Sequence, residues 1–217
     1  MEMRTNDYIN VNKEAYDKLS QEYKTRGEIK SGHEETPEYL VNNILKFNLN
    51  NKPLSILEIG PGSGEIVSFF EDLGHRTIAV ELSEKISIIA KNKSPNSIII
   101  NSNILELEFV NDQFDIIYAG ALIHLFPKAD ATMLLEKISK WLKPQGLLFI
   151  NTTICEKSEE GFYTKSDYYG EVIRFRNRWT ETDFEKFIKE MFCILKTLYT
   201  NEIDRKKTWV GYICQTI

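Results

Sequence analysis

The chain has 217 residues, 42% of them apolar and 27% charged, with 11 Gly and 6 Pro, which excludes disordered, low-complexity and collagen-like classes and favours one domain with a sizeable core. A formal charge of −5, from 27 Lys and Arg against 32 Asp and Glu, removes the overall attraction to phosphate that drives nucleic-acid binding, so polynucleotide partners are disfavoured. Cys155, Cys193 and Cys214 are odd in number and lack CxxC spacing, which fits neither a disulfide framework nor a metal site and points to a reducing cytoplasm.

The N-terminus is polar, and the longest stretch without Asp, Glu, Lys or Arg in the middle of the chain, 116–127, has twelve residues; neither a signal peptide nor a membrane span is expected. Residues 9–47 place Ile9, Tyr16, Leu19 and Tyr23, then Tyr39, Leu40, Ile44, Leu45 and Phe47 at helical spacing, interrupted by a turn-like 26–37 stretch, so two helices precede any sheet. After a polar linker at 48–53, strands at 54–59, 76–81, 97–101, 114–118 and 147–151 alternate with helices at 64–73, 83–92 and 129–142, as βαβ units of a parallel sheet do. A Lys-Pro-Gln-Gly turn at 143–146 leads into the fifth strand. From 155 to 180 periodicity fails and Gly, Tyr, Lys and Arg accumulate, which suggests an insertion over the sheet edge. A helix at 180–191, capped by Thr180 with Asp183 at its third position, and two strands at 193–199 and 208–216 finish the sheet with an antiparallel edge strand. The expected organisation is a single domain with a helical cap at 1–50, a core at 54–152, a lid insertion at 153–180, and a C-terminal helix and strands at 181–217.

The run Leu57-Glu58-Ile59-Gly60-Pro61-Gly62-Ser63-Gly64-Glu65 sits where the first strand turns into the first sheet-flanking helix. There the chain must reverse tightly, admit a ligand to the backbone, and start a helix whose free N–H groups point at the site. A dinucleotide fingerprint would place its third glycine at position 65, where the chain has Glu65, and a pyrophosphate there would meet a like charge. No Gly-Lys-Ser/Thr follows. The loop therefore suits a ligand without phosphate.

This E-x-G-x-G-x-G run resembles the first motif of class I S-adenosylmethionine (SAM)-dependent methyltransferases, and the likeness extends in motif order over about residues 50–152. It implies a Rossmann-like, seven-stranded, mostly parallel sheet with helices on both faces and two N-terminal covering helices. It also implies SAM as cofactor, held by Glu58, Gly60, Pro61, Gly62 and Gly64. Glu81, closing the second strand before Leu82, is placed to accept both ribose hydroxyls, or is an ordinary solvated strand-end acid. Asn103 and Ile104 stand where the family has Asp and an apolar residue against adenine; the Asn103 amide oxygen can still accept from the adenine amino group. Phe114 to His124 is similar to the family's fourth-strand motif, with Ala119 among the small residues at the methionine end, and Gln145 stands where Gly is commoner.

Methyl transfer needs alignment of the acceptor more than reactive side chains. His124, just past the fourth strand, is the candidate acid or base, or else a structural histidine at the sheet end. Tyr16, Tyr23 and Arg26 resemble a Y-x(6)-Y pattern in which an aromatic covers SAM and a basic group meets its carboxylate; packing of the two tyrosines on the domain is the alternative. From Phe162 to Trp179, Lys165, Arg174, Arg176 and Arg178 stand against Asp167 and Glu171, a local +2 (four minus two). If that stretch is extended, the three arginines share a face. Tyr163, Lys165, Arg174, Arg176 and Trp179 then suit a lid that clamps an anionic or planar acceptor, with a solvated face as the alternative. The expected function is a cytoplasmic SAM-dependent methyltransferase acting on a small molecule. A protein, peptide or RNA methyltransferase and a non-catalytic SAM-binding module remain open, and the oligomeric state is not readable.

Overall fold

The computed structural model describes residues 7–28, 36–48, 53–165, 171–202 and 207–217. The alternating apolar segments form β1 (Ser55–Ile59), β2 (Arg76–Glu81), β3 (Ile98–Asn101), β4 (Phe114–Ala119) and β5 (Leu142–Thr153), which pair in parallel in the order β3-β2-β1-β4-β5. Both faces of β1, β4 and β5 are covered, as their near-continuous apolar sequence requires. Leu57, Ile59, Ile117 and Leu148 enter one hydrophobic cluster, while Ile56, Ile116, Leu147 and Phe149 enter another on the opposite face.

The second cluster is closed by α2 (Pro37–Leu45) and α3 (Glu65–Asp72), through Leu40, Val41, Ile44, Ile66 and Phe70. The first is closed by α5 (Lys128–Trp141) and α6 (Glu181–Lys189), through Leu134, Leu135, Ile138, Trp141, Phe184 and Ile188. Thr180 caps α6 as its sequence position requires, accepting from Asp183 N at 3.1 Å. The seven-stranded sheet is completed by β8 (Phe192–Glu202) and β9 (Lys207–Thr216). Strand β9 runs antiparallel to both β5 and β8 and stands one place in from the edge.

The turn expected at 143–146 is absorbed into β5 as an irregularity, with a register shift opposite Phe114/Ile116 and Gln145 at φ +65. The stretch read as an irregular insertion contains a hairpin, β6 (Glu159–Lys165) and β7 (Val172–Arg178), that forms its own two-stranded sheet. It packs against α1 (Tyr8–Glu28), whose inner stripe of Tyr8, Asn12, Ala15 and Leu19 follows helical spacing. Helix α1 also crosses α4 (Glu84–Lys93). Among the described residues, no helix is long and apolar enough to cross a membrane.

Candidate functional site

The strand order reverses between β1 and β4, and there the carboxyl ends of β1, β2 and β4 open into a cavity of about 450 Å³, where open α/β sheets bind ligands. Its floor is the turn from β1 to α3. Gly60, Gly62 and Gly64 all have positive φ, at +73, +56 and +87. Gly64 is the most constrained: a Cβ there would lie 3.1 Å from the Ala90 Cα of α4, so the close crossing of α3 and α4 needs glycine as much as the left-handed backbone does. A further narrow point is Gly120, where a Cβ would stand 2.4 Å from the Tyr118 ring.

Three carboxylates line the cavity, Glu58, Glu65 and Glu81, and among the described residues no Lys, Arg or His does. Burial raises the Glu58 carboxyl well above the usual range; Glu65 and Glu81 add to the rise, and one bond from the Val67 N–H opposes it. Its Oε2 has no hydrogen-bond partner. Burial pushes Glu81 up to about 7, against bonds from the backbone N–H groups of Ser83, Gly62 and Leu82, with Asp17 adding to the rise. The Ser83 N–H donates to Glu81 Oε1 at 2.9 Å. Glu65 differs: burial alone would raise it, but Lys93 at 2.7 Å and the Ser63 hydroxyl hold it below the usual carboxylate range.

The side walls come from the segments after β3 and β4 and from α1. Ile104 and Leu82 supply apolar wall beside Asn103. Asn103 Oδ1 accepts from Leu105 N at 3.1 Å and its amide donates to Glu106, so it caps the short helix Ile104–Glu106 while facing the cavity. Helix α1 contributes Tyr8, Asn12, Tyr16 and Tyr23, with the Tyr16 and Tyr23 rings edge-to-face at 5.6 Å and Tyr23 next to Gly62.

Of the residues singled out in the sequence, Tyr16, Tyr23, Glu58, Gly60, Pro61, Gly62, Glu81, Leu82, Asn103 and Ile104 lie together on this wall. Gly64 supports the loop from behind. Ala119 is buried at the end of β4 and leaves the wall to Tyr118, Gly120 and Ala121. His124 also stands off the wall: it is buried, its Nδ1 is 3.1 Å from Thr152 Oγ1, and its ring lies 5.9 Å from that of Trp209. Trp179 is in the core between β7 and α6, stacked on Phe187 at 4.9 Å. Tyr163 lies under the Arg178 guanidinium at 3.7 Å, and Arg178 pairs with Glu159 at 2.9 Å. Arg174 and Arg176 are brought to the α1 side of the hairpin, where Arg174 Nη1 donates to Tyr16 Oη at 3.2 Å and Arg176 Nη2 to Thr153 Oγ1 at 2.8 Å. The roles expected of Arg26 and Lys165 fall on side chains outside the described ones.

Two asparagines that the sequence reading passed over organise the walls. Asn12 Nδ2 donates to Leu125 O at 3.1 Å while its Oδ1 accepts from Phe175 N at 2.8 Å, which ties α1 to the segment after β4 and to β7. A polar residue inside the buried stripe of α1 is the signal for it. Asn151 Oδ1 accepts from the N–H of Ala121, which has φ +54, and so fixes the loop beside Gly120.

Residues 57–150 match the methyltransferase domain family. Phosphoethanolamine N-methyltransferase of Plasmodium falciparum is 30% identical over 182 residues, covering 81% of this chain and 65% of its own length; the chain thus spans about two-thirds of that relative. The crystal structure of Burkholderia thailandensis 1,6-didemethyltoxoflavin-N1-methyltransferase, with bound 1,6-didemethyltoxoflavin and S-adenosylhomocysteine, superposes with a TM-score of 0.76 at 16% identity, over 100% of this chain and 92% of that one. The [4+2]-cyclase SpnF superposes at 0.69 with 12% identity, over 94% of each chain. The same fold thus appears among proteins named for different reactions.

Proposed function

With residues 57–150 forming a methyltransferase domain inside a class I methyltransferase fold, we propose that the protein binds SAM and transfers its methyl group to a small-molecule acceptor. The observation that carries this reading is the cavity wall itself: a left-handed glycine loop beside two buried carboxylates, with no basic side chain among the described lining residues. Such a wall repels a phosphate and suits a ligand bearing an ammonium and a sulfonium. When bound, SAM supplies a methyl group already activated by the sulfonium for in-line displacement.

The chain's own residues bind, orient and exclude water. Glu81, fixed by the Ser83 N–H, presents its carboxylate for two ribose hydroxyls. The buried Glu58 carboxyl, its Oε2 unpartnered among the described residues, offers the site a hydrogen-bonding oxygen. Leu82 and Ile104 provide apolar surface for a purine, and Asn103 keeps a lone pair for an amino group. Tyr23 closes the loop from above, and α1 with the hairpin covers the cavity. A concave cavity of about 450 Å³ accommodates a small molecule more readily than a polymer.

Titration with S-adenosylhomocysteine tests the cofactor site, and Glu81→Ala should weaken binding by about 2 to 4 kcal/mol if both ribose bonds form. Incubation with labelled SAM and a metabolite extract tests turnover. Label in a small metabolite is the expected result; label confined to macromolecules, or binding without any label, would overturn it.

A further inference from the structure

The cavity is acidic at the glycine loop, and the sign of the charge reverses beneath the β6–β7 hairpin. Strand β7 alternates Arg174, Arg176 and Arg178 with the buried Phe175 and Asn177, so the three guanidinium groups leave one face. Their partners differ. Arg178 has Glu159 directly opposite on β6 and a Tyr163 ring beneath it. Arg176 faces Gly161 across the ladder, donates to the Thr153 hydroxyl, and has no carboxylate paired with it among the described residues. Burial, with Arg174 alongside, lowers its guanidinium to about 10.

A half-buried cation beside a second cation, with no carboxylate paired to it among the described residues, is a poor solution for packing alone, since an apolar side chain of similar volume would be no worse for stability. Both arginines also connect to the cavity. Tyr16, which accepts from Arg174, lies on its wall. Thr153, which accepts from Arg176, lies two residues beyond the wall residue Asn151 and so on the same face of β5. Tyr23 is beside both the Tyr16 ring and Gly62, so the tyrosine pair runs from the partner of Arg174 to the glycine loop.

We propose that Arg174, Arg176 and Tyr16 form a subsite for an anionic group, a carboxylate or a phosphate, carried by the methyl acceptor. This deepens the methyltransferase reading and rests on it. The cavity and the arginines beyond its Tyr16 wall then sort the ligands by charge: the carboxylates hold the cationic cofactor, and the arginines hold the anionic tail of the acceptor, leaving its nucleophilic end directed inward. Planar guanidinium groups give such a tail a fixed orientation.

The test uses the full chain, first titrated with S-adenosylhomocysteine and then, once loaded, with inorganic phosphate in one arm and acetate in the other. The expected result is binding of at least one of the two anions, weakened about tenfold or more in Arg174→Gln and in Arg176→Gln, with S-adenosylhomocysteine affinity unchanged within about twofold. The anion that binds tells phosphate from carboxylate. Absence of anion binding in the wild type, or equal binding by the variants, overturns the subsite while the cofactor site stands. A tenfold loss of S-adenosylhomocysteine affinity in Arg174→Gln also overturns it, by giving the arginines to the cofactor's own carboxylate. Failure of the wild type to bind S-adenosylhomocysteine overturns both readings. If Arg176→Gln does not fold, Arg176→Lys, which keeps the charge but loses the planar fork, and Arg174→Gln decide the matter.

Discussion

Acid should weaken cofactor binding through Glu81. The carboxyl is buried at the end of β2 and lifted to about 7, while its partners Ser83, Gly62 and Leu82 donate N–H groups that favour the ionised form. A ribose held by two hydroxyl donors needs that carboxylate charged. If only the ionised form binds, the apparent dissociation constant scales as one plus the protonated-to-ionised ratio, a factor of about 1.1 at pH 8, about 2 at pH 7 and about 11 at pH 6. The affinity for S-adenosylhomocysteine should therefore fall about tenfold from pH 8 to pH 6, or about 1.4 kcal/mol. Calorimetric titration across that range measures it directly. Glu81→Gln is the control: it should bind more weakly at pH 8 and show a flat profile. A flat wild-type profile, or the same slope in the variant, would refute the assignment of the ribose to Glu81.

The same carboxylate burdens the ligand-free fold. Because its folded value lies above the ordinary carboxylate value of 4.5, its ionisation cost is absent below about pH 4.5 and complete above about pH 7, so Glu81→Gln should raise stability at pH 8 by up to about 3 kcal/mol and by much less at pH 5, as denaturant melts would show. A less stable variant at pH 8 would contradict this. Gly64→Ala should cost at least about 2 kcal/mol, since its Cβ meets the α4 backbone and its φ is +87; an unchanged melting temperature would rule that out. His124→Asn should cost about 1 to 2 kcal/mol, because it breaks the buried contact with Thr152. A turnover loss of about 100-fold at an unchanged melting temperature would instead give His124 a part in proton transfer.

The glycine loop, Glu58, Glu81 and the parallel core were legible because each signal is local: strands and helices carry their own periodicities, and a strand-to-helix turn places its residues at the sheet edge without reference to the rest of the chain. The β6–β7 hairpin was not. The half-buried Phe162 and the buried Phe175 are cross-strand partners whose pairing exists only in space, and Arg174 and Arg176, which flank Phe175, read as a solvated surface. Trp179 misleads for a related reason: beside Arg178 it resembles a ligand-binding aromatic, while Phe184 and Phe187 on the next helix draw it into the core. His124 was placed correctly along the chain, but which way its ring turns depends on Thr152 and Trp209.

Helix α1 carries a kinetic consequence. It roofs the cavity and is fastened at separate points: Asp17 accepts from the Ser83 hydroxyl at 2.6 Å, Asn12 bonds to Leu125 and Phe175, and Tyr8 donates to Asp130 at 2.6 Å. At a net contribution of about 1 kcal/mol for each bond, these four bonds alone add about 4 kcal/mol to the cost of lifting α1, before the burial of Ala15 and Leu19 is counted. Any ligand exchange that requires α1 to lift would therefore be slow enough to pace turnover.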